Sequence, residues 1–464
     1  MKKLFFILAL IIPMPIFAQL GTRFPSEKKV IKDPVTGVEL EFLTTKPMGD
    51  HKTYQTHTQW TADGKWCVFN SKYRAKGNAI AVNEETGEMV QVTENGYMGK
   101  ILLSRKEMKM YFLRADKASQ KKLKEMIGKP FDFNNRPKLG YEIIETDLAK
   151  LFTDSEAGKM KKSVNYERVC GKVPSYLGAE GGDIALDANE DYAYFRIGKE
   201  YAASKIDPKI KIEENFGPRH MGAGPSGIAG INLKTGEIKD VVFVPFQVGH
   251  VQTNPWKPGE IIFCWETGGK APQRTWMVNS DGSGLQPIYK ETEYDWVTHE
   301  AVITKDEVAI AILGHRPMRN TNDTINTHDP ANPGQEVGWG PSGTREKATG
   351  LAIINLRTHE FTLAGQIPYG SGFWHVNGSA DGNWAVGDDF ARDIFLIDRH
   401  TGERILLSTG HKVTAEDHPH PTFSADGTKV HIQSAMLSED GKSMNICVIK
   451  LPDYLLNRYK NKIK

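Results

Sequence analysis

The chain has 464 residues, with 59 Lys and Arg against 57 Asp and Glu, 39% hydrophobic and 25% charged residues. This near-neutral balance argues against a broad phosphate-neutralising surface, so no nucleic-acid partner is expected. The mixture is that of a folded chain, and the ordinary use of Gly (44) and Pro (24) excludes collagen-like and low-complexity architectures.

Lys2 and Lys3 open the chain, Leu4 to Ile12 is an apolar run, and Ala18 is a small residue at a plausible cleavage point. This pattern predicts a signal peptide over residues 1–18 and a periplasmic or secreted protein. Pro13 and Pro15 cut the apolar stretch short of the ~20 residues that a spanning helix needs. No later segment is apolar enough to insert, so no membrane insertion is expected. Cys67, Cys264 and Cys447 lie in strand-like runs and Cys170 in a loop-like stretch, and no CxxC pair occurs. Four scattered cysteines do not make a disulfide scaffold.

From residue 19 to 464 the chain reads as one all-β domain. Thr61-Ala-Asp-Gly64 precedes the strand-like Lys65–Asn70, then Ala79–Asn83, Glu85-Thr-Gly87 and Met89–Thr93. Gly230–Leu233, Thr235-Gly236 and Ile238–Val244 repeat the ending of that unit. Glu260–Trp265, Thr275–Asn279, Ser280-Asp-Gly282 and Leu285–Tyr289 follow, then Leu351–Leu356 and Phe361–Ala364. Ser379-Ala-Asp-Gly382 and Ser424-Ala-Asp-Gly427 introduce two further sets of strands. Asp-Gly and Thr-Gly between strand-like runs are turn signals. One such small sheet cannot bury its faces alone, but several stacked radially can. The prediction is a seven-bladed β-propeller, with units near 51–93, 96–150, 180–244, 247–289, 297–364, 370–407 and 416–450. A β-sandwich is the weaker alternative. Residues 116–130 read as a surface helix, residues 317–350 as a long loop, and residues 457–464 as a basic tail.

Histidines carry the functional signal. His250 (VGHVQ), His299 (THE), His375 (FWHVN), and His418 with His420 (HPHP) all fall at or just before the first strand of a unit. In a propeller such positions face a shared channel, so three or four imidazoles with a nearby acid would suit a divalent ion. In HPHP the two rings, two residues apart on an extended segment, are expected to face the same way. His250 is expected to remain outside the metal shell and act as a base. Arg274 and Arg219 are candidates for binding a carboxylate through paired hydrogen bonds. GxSxG, P-loop and HExxH motifs are absent.

With IKDPVTGVELEFLTTKP, VGHVQTNPWKPGEIIFCWE, RTWMVNSDGSG, THE and HPHPTFSADGTKV, the chain resembles the oligogalacturonate lyases from about residue 30 to 450. These are TolB-like seven-bladed propellers that cleave short galacturonate chains by β-elimination. The resemblance implies metal ligation by His299, His418 and His420, a catalytic His250, and a divalent metal, manganese first, with Zn²⁺, Ni²⁺ or Ca²⁺ as alternatives. His375 joins the metal candidates by position. The family's metal-site Gln falls on Ala415, and its catalytic Arg has no direct match, Arg219 being nearest. The expected partner is an acidic oligosaccharide or polysaccharide. A lyase for another uronate such as ulvan, a glycoside hydrolase using Glu266, Glu300 or Asp388, and a non-enzymatic binding propeller are the alternatives.

Overall fold

The computed structural model describes residues 19–126, 137–178, 184–214, 222–267, 271–292, 295–312, 348–366 and 372–460. The segment read as a signal peptide, the core of the loop read at 317–350, and Arg219 lie outside them. The described strands form seven antiparallel sheets, five of four strands and two of five. Together they make a seven-bladed β-propeller. The inner strands of blades 1 to 7 are Asp50–Lys52, Tyr97–Leu103, Ile184–Leu186, Val248–Thr253, Val297–Thr304, His375–Gly378 and Thr422–Phe423.

Seven clusters of buried apolar side chains lie one at each interface between adjacent blades. In the last of these, Phe69, Ile80 and Val82 of blade 1 meet Ile446 and Val448 of blade 7. Each sheet thus buries both faces against its neighbours, which is why its strands are apolar almost throughout. The ring closes by joining the chain's two ends. Lys29–Lys32 and Glu39–Phe42 form the outer strands of blade 7, with Leu40 opposite Ile449 and Phe42 opposite Cys447.

The predicted turns recur with the same internal wiring. Asp63, Asp381 and Asp426 each accept from the hydroxyl of Thr61, Ser379 or Ser424. Each also accepts from the backbone N–H two residues further on. The following Gly64, Gly382 and Gly427 have φ of 70°, 75° and 69°, a conformation that glycine adopts without cost from a Cβ.

Blade 2 differs from its reading. Its outer strand, Glu167–Val173, lies beyond residue 150, after an inserted helix Leu148–Glu156. Asp147 caps that helix by accepting from Lys150 N at 2.9 Å, while Leu148, Leu151 and Phe152 turn inward. Cys170, read as part of a loop, is therefore buried in a strand between blades 2 and 3. The surface helix expected at 116–130 spans Lys117–Met126. Cys67, Cys170, Cys264 and Cys447 are free and buried. Among the described residues, no helix is long and apolar enough to cross a membrane.

Candidate functional site

The histidines of blades 4 to 7 converge. Ring centroids of His250 and His299 are 5.5 Å apart, those of His299 and His375 4.3 Å, and those of His375 and His420 3.8 Å. His418 lies 5.4 Å from His375. Residues 170 positions apart in sequence thus share one place on the channel wall because each blade contributes its inner strand.

Two bulges aim the rings. In blade 4, His250 and Val251 together face one partner residue, between the pairs Gly249–Cys264 and Gln252–Ile262. In blade 5, Thr298 and His299 do the same between Val297–Ile312 and Glu300–Ile310. A bulge turns a side chain out of the regular alternation and is common beside functional sites. His250 has φ of 49° and His420 of 51°, left-handed conformations that cost energy in a non-glycine residue.

The left-handed turn at His420 overturns the expectation of two parallel rings. The HPHP segment is not regular strand here; the strand starts only at Thr422. His418 Nδ1 lies 3.3 Å from Asp388 Oδ2, and its ring stacks on Trp374 at 5.5 Å. His420 turns to the other side of His375, with Nδ1 3.2 Å from Gln55 Oε1 and Nε2 3.1 Å from Asp417 Oδ1. His375 stands between them.

Asp388 is the hub of the metal candidates. It sits opposite His375 in the first hairpin of blade 6, accepts from His375 N at 2.8 Å, and meets Nδ1 of both His375 and His418. Nitrogen and oxygen atoms of His375, Asp388 and His418 lie within 4.8 Å of one another. Burial alone would raise the Asp388 carboxyl; His375 and His418 instead hold it well below the usual range. Burial and the neighbouring His420 push His375 down to about 3, against the pull of Asp388. Burial, with His375 and His250 close by, pushes His299 well below the ordinary imidazole value. Its Nδ1 donates to the Trp374 carbonyl. Neutral imidazoles beside an ionised carboxylate are the protonation states that a divalent cation requires. The donor set therefore fits a metal.

His250 belongs to a different set. Its Nδ1 lies 3.1 Å from Glu300 Oε1, and its Nε2 3.3 Å from Glu266 Oε2. Arg274 Nε donates to Glu300 Oε2 at 3.2 Å, and Nη2 lies 3.3 Å from His250 Nδ1. Burial pulls the His250 pKa down, but the charge and hydrogen bond of Glu300 more than offset it, and the net shift is upward. Burial works against the Arg274 charge, yet Cys264, Glu300 and Glu266 around it raise its pKa further. Arg274 is only 2% exposed. The guanidinium therefore fixes Glu300 and His250 rather than facing the channel. His250, Cys264 and Glu300 also have the spacing of a metal group. The guanidinium already supplies a cation to two of them.

A cavity of about 270 Å³ is bordered by His250, His420 and Asp417 together with Lys52, Tyr54 and Lys100, whereas His375, Asp388 and His418 lie behind His420 and do not border it. Tyr54, Gln55 and Gln433 are parts of the site that motif reading did not assign to it, and Asp388 was named only as a carboxylate of the hydrolase alternative, not as a partner of the histidines. Asp388 was legible: His375 and Asp388 stand at equal distances on either side of the Asp381-Gly382 turn, so hairpin pairing places them together. Ala415, at the family's Gln position, is buried against Ala435 and Met444 and offers no donor. An amide comes instead from Gln433, which donates to Asp417 Oδ2 at 3.0 Å and to His418 O at 2.7 Å.

No protein-family model matches the chain, and no curated protein matches it in sequence. Solved structures do match its fold. An oligogalacturonate lyase in complex with manganese aligns over 94% of this chain and 100% of its own, with TM-score 0.65 and 16% identity. An oligogalacturonate lyase from Vibrio parahaemolyticus aligns over the same shares, with TM-score 0.66 and 18% identity. At these identities the likeness is one of fold.

Proposed function

We propose that this protein is a lyase acting on uronic-acid-containing oligosaccharides or polysaccharides, oligogalacturonate-like in preference. It breaks the glycosidic bond by β-elimination with the help of a divalent cation, manganese first among candidates. One observation carries the reading: imidazoles from four consecutive blades converge, one set around an ionised carboxylate and one imidazole clamped apart from it, with His250 and His420 bordering a cavity. The reading is further supported by the manganese-bound lyase that shares the fold.

His375, His418 and Asp388 would hold the cation, with His299 and His420 beside them. When bound, a divalent ion there draws charge from the uronate carboxylate and makes the C5 proton more acidic. His250 takes that proton as general base. Glu300 orients its ring through Nδ1, and Nε2, 3.3 Å from Glu266 Oε2, is the nitrogen that takes the proton. Arg274, a positioning residue, holds Glu300 in place. Lys100 borders the cavity and attracts an acidic sugar. Loss of the 4-linked sugar leaves a 4,5-unsaturated uronate. With the leader at residues 1–18, the enzyme works in the periplasm or outside the cell.

A hydrolase is less well supported, because Glu300 and Asp388 are fully buried and bonded to protein groups rather than flanking open space. Mass spectrometry of the products formed from a galacturonate oligomer separates the two. Elimination adds no water to the fragments, whereas hydrolysis adds one molecule per cut. Fragments carrying the added water would refute the lyase reading.

A further inference from the structure

Tyr54 follows the inner strand of blade 1, and its ring stands among the imidazoles. Ring centroids are 5.2 Å from His250, 5.2 Å from His420 and 6.1 Å from His375. Its hydroxyl is buried and has no hydrogen-bond partner among the described residues. Buried hydroxyls normally find partners, and an orphaned one is destabilising, so its presence calls for a use. The loop that carries it is, by contrast, firmly tied. The Tyr54 carbonyl accepts from His57 N at 3.0 Å and from Gln59 Nε2 at 3.1 Å, and Gln59 Oε1 accepts from Thr53 Oγ1 at 2.8 Å. Other polar groups bordering the cavity are engaged within the protein: Lys52 Nζ with Thr422 and Thr53, Gln433 with Asp417 and His418. A positioned ring with an uncommitted hydroxyl, bordering the same cavity as the base, is arranged to serve a bound molecule.

We propose that Tyr54 donates its hydroxyl proton to the departing glycosidic oxygen. The inference rests on the lyase reading. His250 takes the proton from C5, and the electron pair left behind forms the C4=C5 bond. The C4–O4 bond breaks with its pair on oxygen, and that oxygen takes the Tyr54 proton and leaves as a neutral alcohol. The proton on His250 then passes to the phenolate, directly or through solvent. The cycle therefore consumes and releases no proton.

The test compares Tyr54→Phe with the unaltered protein on two uronates. One is a 1,4-linked galacturonate oligomer; the other carries 4-nitrophenol at C4, a leaving group that departs without a proton. On the oligomer kcat/KM is expected to fall by about 10²–10⁴-fold, and on the aryl ether by less than about tenfold. The melting temperature is expected not to fall, because the deleted hydroxyl bonds nothing in the protein. Equal losses on both substrates, no loss on either, or a lowered melting temperature would overturn the assignment of Tyr54 alone. An unaltered protein inert towards every uronate would overturn the lyase reading, and this assignment with it.

Discussion

His250 faces two carboxylates and a guanidinium, and this pairing makes a pH prediction. Glu300 raises the His250 pKa, and a base works only when deprotonated, so kcat/KM is expected to climb with pH through a value above that of an ordinary histidine. Glu300→Gln removes the stabilising charge. The rising limb is then expected at lower pH, with a smaller maximum because Arg274 loses its partner. A limb that stays in place, measured as kcat/KM against pH, would separate Glu300 from the base. At this scale the sequence was partly legible. All five histidines were marked by their places before or within first strands, and His375 by position alone. The left-handed backbone at His420 was not legible, because nothing in HPHP signals a positive φ before a proline.

At the scale of the element, the site depends on bulges. Gly249 lies next to His250, and a Cβ there would meet Glu266 Cβ at 2.6 Å. Gly249→Ala is expected to push Glu266 off His250 and to cost about 1–3 kcal/mol of stability through overpacking. Thermal melting beside kcat/KM measures both effects; unchanged activity would show that the Glu266 contact is dispensable. The turns of blades 1, 6 and 7 were readable from (S/T)-Ala-Asp-Gly. The bulges were not, because an extra residue in a strand leaves no composition signal. Blade 2 was cut short because its helix insertion interrupts the alternation on which strand reading depends.

His411 is buried, bonded to Ser434 Oγ through Nδ1, and burial pushes its pKa down to about 4. His375 is pushed down further, to about 3. The unfolded chain binds these protons near an ordinary histidine value and the folded chain does not. Stability from each is therefore present above about pH 6.5 and is lost as pH falls towards the folded value. For His411 the loss at about pH 5 is on the order of 2 kcal/mol. His411→Gln is expected to flatten the fall in melting temperature on acidification, and an unaltered slope would contradict this.

The whole molecule is a ring, and its closure joins the two ends of the described chain. Phe42 is fully buried in the outer part of blade 7, whereas Val35 in the preceding connection is 69% exposed. Phe42→Ala is expected to lose about 3–5 kcal/mol, and Val35→Ala less than about 0.5 kcal/mol. Denaturant unfolding measures both; similar losses would mean that closure adds little. The same closure holds the channel wall together, since Lys52 N of blade 1 donates to Gln433 Oε1 of blade 7 at 3.1 Å. The number of blades was legible from the recurrence of turns. The joining of the N-terminal strands to the last blade was not, because pairing across 409 positions has no local signature.

In the proposed function, a base in blade 4 and a cation site in blades 6 and 7 act together on a uronate. The direct measurement follows ultraviolet absorbance of the conjugated 4,5-unsaturated product for the unaltered protein and for His250→Ala, with bound metal quantified in both. The account predicts a rising signal from the unaltered protein that chelation abolishes. It predicts none from His250→Ala, which keeps its full metal content. A His250→Ala protein that still forms the unsaturated product, or an unaltered protein indifferent to chelation, would contradict it.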